Sequence, residues 1–123
     1  MKERGYVSYN LAILLWRDGF LKNTQYVYDD CGWFESRYDL KDGDSFYDAP
    51  TYQDACEYLR ENHDINVSVY YVYPYGWKAE IYNIGKDTDV DEFSELFDGY
   101  YNTYYNAVEA GLVFILEKIL NND

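Results

Sequence analysis

Apolar residues first recur at helical spacing just after Ser8, where Leu11, Leu14 and Leu15 share one face. Ser8 has the chemistry of an N-cap and Gly19 that of a left-handed C′ residue, so the pattern predicts a first helix over 9–18. Phe20 is then placed to pack back on Leu15. Two β-rich runs follow, Thr24–Tyr28 and Trp33–Tyr38, and the Asp29-Asp30-Cys31-Gly32 between them suits a hairpin turn. Asp39–Pro50 shows no periodicity and reads as a loop. Thr51 stands as the next N-cap, with Asp54 three residues on. Tyr52, Ala55, Cys56 and Leu59 fall at i, i+3, i+4 and i+7, which predicts a second helix with one buried stripe. After Asn62-His63-Asp64 the period becomes that of a strand. Ile65, Val67, Val69, Tyr71 and Tyr73 alternate with Asn66, Ser68, Tyr70 and Val72, turn at Pro74-Tyr75-Gly76, and return antiparallel over Trp77–Ile84. Gly85–Gly99 is acidic and irregular, with one helical turn expected around Phe93, Leu96 and Phe97. Thr103 caps a last helix running to Leu120, and its middle, Ala110 to Leu116, is apolar almost all round.

The order helix, hairpin, helix, hairpin, helix predicts an α+β fold in which both hairpins join one antiparallel sheet packed against helices. The length of 123 residues suits a single acidic domain over 1–123. The wide apolar face of the last helix predicts either a central core element or a homodimer through Tyr104–Leu120.

Composition narrows the function classes. Ten Lys and Arg against 23 Asp and Glu give a net charge of −13, which argues against binding nucleic-acid backbone or an anionic membrane directly. No apolar run has the length of a membrane span, and Met1–Tyr6 leads into no signal-peptide core. Cys31 and Cys56 accordingly read as reduced thiols of a cytoplasmic protein.

Candidate chemistry is sparse. The single histidine, His63, stands at the end of the second helix, where a protonated imidazole suits the helix dipole; it reads as a cap rather than a general base. Cys56 lies on an apolar stripe and reads as an inert thiol. Cys31 has Asp29 and Asp30 beside it, which raise a thiol pKa, the wrong direction for a nucleophile. No phosphate loop, serine elbow or dinucleotide motif is present, so the expectation is a protein without catalytic residues or a cofactor. Asp87, Asp89 and Asp91 share the spacing of the first calcium-loop ligands, but Glu92 stands where glycine belongs and Asp98 where a bidentate glutamate belongs. That stretch reads as a solvated acidic loop, and no metal is expected.

Charge clustering and tyrosine content carry more. Asp29 to Asp64 holds eleven acids against Arg37, Lys41 and Arg60, and Asp87 to Asp98 holds six acids and no base. A chain this size is about 35 Å across, a length over which duplex DNA presents about 20 phosphates. One strongly acidic face would match one side of a duplex in charge density. The 17 tyrosines exceed what such a core hides with every hydroxyl bonded, so several must face outward. Carboxylates interspersed with tyrosines suit a partner rich in Lys and Arg.

The stretch Ala49-Pro50-Thr51-Tyr52-Gln53, followed by Tyr58-Leu59-Arg60-Glu61-Asn62-His63-Asp64-Ile65-Asn66-Val67, resembles small uncharacterised proteins encoded by phages and prophages of gut bacteroidete bacteria. Those chains also open with a short helix ending near Gly-Phe, as Asp18-Gly19-Phe20 does, and close with a helix similar to Tyr105–Leu112. Where that pattern shows Trp before Leu-Arg-Glu, Tyr58 stands here. The resemblance implies a small accessory protein of a mobile element acting inside a bacterial cell; no functional residue carries over.

Together these readings predict a non-enzymatic, acidic, protein-binding inhibitor. It would mimic nucleic acid against a basic host defence or DNA-binding protein, through Asp42, Asp44, Asp87, Asp89, Asp91, Glu92, Tyr75, Tyr100 and Tyr101. The alternatives are a protein that sequesters a signalling nucleotide by stacking its base on tyrosine, and an assembly factor of a phage particle.

Overall fold

A helix over Tyr9–Arg17 (α1) forms because both its ends are satisfied. Ser8 Oγ accepts the Leu11 N–H, and at the other end Gly19 N–H and Phe20 N–H return to the carbonyls of Trp16 and Leu15. Phe20 is thereby folded into the core, as the sequence predicts. The computed structural model describes residues 4–83 and 99–121. The acidic segment around Phe93, Leu96 and Phe97, with its expected helical turn, lies outside the described residues.

Strands Tyr26–Asp29 (β1) and Phe34–Ser36 (β2) form the first hairpin, with Tyr28 opposite Phe34. The β2 run stops short of Tyr38 because Ser36 Oγ accepts the Tyr38 N–H and opens a 3₁₀ turn over Arg37–Asp39. The expected loop at 39–50 contains a third strand, Phe46–Asp48 (β3), antiparallel to β1. Its reason is tertiary: Thr24 Oγ1 donates to Asp48, Arg37 pairs with the same carboxylate, and Ala49 N–H reaches Tyr26 O. The stretch around it is aperiodic and acidic, so only these partners reveal the strand.

Thr51 caps the second helix, Tyr52–His63 (α2), by accepting the Asp54 N–H. Its buried residues are Ala55, Tyr58 and Leu59, whereas Tyr52 and Cys56 are half-buried. The stripe is rotated from the expected one because Tyr58 turns inward, packing edge-on against Phe20 and donating its hydroxyl to Asp18. Strands Ile65–Val72 (β4) and Gly76–Asn83 (β5) pair over their whole length around a three-residue turn at Tyr73-Pro74-Tyr75, one residue earlier than expected, because Gly76 already pairs with Val72 and opens β5; Ile84 lies outside the described residues.

The two hairpins do not form one sheet. β1 has β2 on one edge and β3 on the other, giving a three-stranded sheet in the order β2-β1-β3, while β4 and β5 form a separate pair. With both edges of β1 occupied, the second hairpin packs instead on the last helix, Tyr104–Asn121 (α3). The architecture is mixed α+β with three helices and antiparallel sheets, and the expected single-sheet arrangement is corrected to two.

α3 packs against β4, β5, α1 and α2. Its buried residues, Ala107, Val108, Gly111, Leu112, Ile115 and Leu116, explain most of its apolar circumference; Ala110, Val113 and Phe114 are partly buried against the same core. Gly111 sets the spacing. A Cβ there would meet Ala79 Cβ at 3.1 Å and Val67 Cγ1 at 3.3 Å, so helix and hairpin approach closely enough that any side chain at 111 presses on both.

Two polar nodes tie the helices together. At the start of α1, Glu109 of α3 accepts from Ser8 N–H, Ser8 Oγ and the Tyr52 hydroxyl. At the far end, Asp18 Oδ2 accepts from Tyr58 and sits 2.7 Å from His63 Nε2. The lone histidine thus closes the last turn of α2 onto the end of α1.

Candidate functional site

The turn between β1 and β2 is built by Asp29, whose Oδ1 accepts the N–H groups of Cys31 and Trp33, both at 2.9 Å. Across from it, Asp44 Oδ2 accepts the Lys41 N–H at 2.8 Å and shapes the loop that leads to β3. Between these two turns lies a cleft of about 470 Å³ lined by the carboxylates of Asp29, Asp30, Glu35, Asp39 and Asp44, with Lys41 the single base among its lining residues. Asp29 and Asp44 are occupied in holding the turns. Asp30, Glu35 and Asp39 make no ion pair among the described residues. Exposed aromatic residues stand next to them in the chain, Trp33 at 72% and Tyr38 at 93% exposure. Large rings that open to solvent beside unpaired carboxylates are what contact with a cationic surface uses.

Within this turn a carboxylate oxygen from each of Asp29 and Asp30 and the Cys31 sulfur come within 4.8 Å of one another. The neighbouring charges of Asp30 and Asp29 push the Cys31 thiol above its ordinary value, in the direction the sequence predicts. The thiol is therefore protonated at neutral pH, and thiolate chemistry there is disfavoured. Cys56 is likewise pushed up, to about 11, by burial on α2.

A second surface lies at the β4–β5 turn. Burial fades along β4 from Ile65 and Val67 through Val69 to an exposed Tyr71. Tyr75 and Tyr100 lie with ring centroids 5.3 Å apart, Lys78 stands over Tyr100, and Trp77 touches both Tyr71 and Tyr104 edge-on. Gly76 makes this junction possible. It has φ +125°, and a Cβ there would lie 2.7 Å from the Tyr101 carbonyl oxygen. Tyr101 exchanges both backbone hydrogen bonds with Trp77.

The structure therefore separates the expected site residues into groups. Asp44 lines the acidic cleft and Asp42 is exposed in the same loop. Tyr75 and Tyr100 are together and exposed at the hairpin turn, while Tyr101 is half-buried against the core. Asp87, Asp89, Asp91 and Glu92 lie outside the described residues. Eight of the 17 tyrosines are exposed, so the expected outward-facing tyrosines exist, and Tyr38 joins them without having been singled out by the sequence. Asp30, Glu35 and Asp39 were not singled out from sequence individually; the acid density of 29–64 was the signal that contained them.

Compared with known proteins, the chain matches no family model, no curated protein and no solved structure. Among the described residues, no helix is long and apolar enough to cross a membrane.

Proposed function

We propose that this chain is a non-catalytic protein-binding module that occupies the cationic nucleic-acid groove of a host protein in the cytoplasm of a bacterial cell. The observation that carries this reading is the acidic cleft, where five acidic residues and one lysine line one concavity and none of the five makes an ion pair among the described residues. Unneutralised carboxylates in a concave site focus a negative field, which draws a basic surface in and repels nucleic acid itself. The exposed Trp33 and Tyr38 supply apolar contact beside the charge. The phage-like resemblance supplies the setting, an accessory protein directed at a host defence or DNA-binding protein. The reading extends to a homodimer through α3, supported by the partial exposure of Ala110 and Val113.

The test is affinity capture from a bacteroidete host lysate, washed at low and high salt. The wild-type chain is expected to retain a basic nucleic-acid-binding protein that high salt releases, because charge steering is screened over about 8–10 Å. The variant carrying Asp30→Lys, Glu35→Lys, Asp39→Lys and Asp44→Lys, with an unchanged circular-dichroism spectrum, is expected to retain none. Recovery of a nucleotide at near-stoichiometric occupancy and no protein would sink the reading.

A further inference from the structure

A second cleft, of about 350 Å³, lies where the chain ahead of α1 crosses the first turn of α2 and the start of α3. It is lined by Tyr6, Tyr52, Tyr104 and Tyr105 together with Arg4, Gly5, Thr51 and Gln53. Tyrosines make up half of its lining residues, and its volume lies at the lower end of the range usual for a small-ligand site.

The walls are fixed in place by the fold. Tyr52 and Tyr105 stack with centroids 5.7 Å apart at 24°, and Tyr104 meets Tyr105 edge-on at 5.6 Å. The Tyr52 hydroxyl donates to Glu109 at 2.8 Å, which anchors that ring to the node at the start of α1. The backbone beneath is held by the Tyr6–Thr51 bridge and by Tyr52 N–H donating to Gly5 O.

Arg4 is the decisive group. Its guanidinium stands 5.8 Å from the Tyr105 ring centroid and makes no hydrogen bond or ion pair among the described residues. Among the described residues it is the one cationic side chain that lines this cleft. Its fork of donors matches a carboxylate bidentately.

We propose that this cleft binds a small planar aromatic ligand carrying a single carboxylate, the ring packing among the tyrosines and the carboxylate accepting from Arg4. The charge of the ligand follows from the charge of the protein. Each added negative charge meets the field of a −13 chain, while Arg4 compensates one. A nucleoside polyphosphate is thereby disfavoured and an aromatic monocarboxylate favoured. This site is separate from the acidic cleft, and its failure leaves the protein-binding reading untouched.

The experiment titrates indole-3-acetate, and separately its neutral amide indole-3-acetamide, into the full chain while the backbone amide signals of residues 4–6, 51–53 and 104–105 are followed by NMR. Indole-3-acetate is expected to bind about tenfold more tightly than the amide, the effect of one charge-assisted contact. Arg4→Gln should erase that difference and leave the amide's affinity unchanged, whereas Tyr105→Leu should weaken both. Arg4 is exposed and outside every helix and strand, so its replacement reads recognition and not folding. The proposal is overturned if millimolar indole-3-acetate shifts none of these signals, or if the Arg4 variant distinguishes the two probes as the wild type does.

Discussion

Glu109 accepts three hydrogen bonds, from residues 101 and 57 positions away in the chain, and so joins the beginnings of α1 and α2 to α3. Glu109→Ala leaves the Ser8 and Tyr52 donors without an acceptor in a half-buried site. Urea denaturation should show a loss of about 2–3 kcal/mol, and Glu109→Gln should lose less because the amide oxygen still accepts. Sequence inspection has no access to this node, since nothing local distinguishes Glu109 from a solvated helical glutamate. Ser8 and Thr51 were legible for the opposite reason: a cap acts on the N–H three residues ahead of it. Cys56 yields a pH prediction. Its thiol is pushed from 9.0 to about 11 in the folded chain, so between those values the unfolded chain has lost a proton that the folded one keeps. The stabilising contribution is full below pH 9 and declines as pH rises toward 11. Chemical denaturation across that window should show the decline in the wild type and a shallower one in Cys56→Ala.

At the scale of elements, the contact between α3 and the β4–β5 hairpin depends on Gly111 having no side chain. Gly111→Val places two methyl groups where a Cβ alone already meets Ala79 and Val67 at 3.1 and 3.3 Å, and should cost about 1–3 kcal/mol by thermal unfolding. A stability equal to wild type would show that the helix can move off the hairpin freely. The helices were legible from periodicity and caps, β4 from its alternation, and β1 and β2 from their β-rich composition and the turn between them. β3 was not, because it lies inside an acidic, aperiodic stretch and exists through Thr24, Arg37 and Tyr26. The same strand explains the misread sheet: it fills the second edge of β1 and leaves β4–β5 as a separate pair. The rotation of the α2 stripe has a comparable origin, since Tyr58 is apolar in its ring and polar at its hydroxyl, and Asp18 supplies the partner that lets it turn inward.

Over the whole molecule, charge is distributed unevenly, and five of the six acidic residues of 29–44, all but Asp42, line one cleft. The acid density of that region was visible in sequence, while the convergence required β3 to bring the loop back beside the β1–β2 turn. The tyrosines divide by the same logic, some donating their hydroxyls inside the fold and others open at the β4–β5 turn. Whether the acidic cleft takes the place of nucleic acid on a basic partner is read out by a competition titration. The partner recovered by capture is held with its labelled DNA or RNA, and the chain is added while release of the nucleic acid is followed. The account predicts stoichiometric displacement by the wild type and none by the variant reversed at Asp30, Glu35, Asp39 and Asp44. A stable ternary complex of partner, nucleic acid and wild-type chain would contradict it.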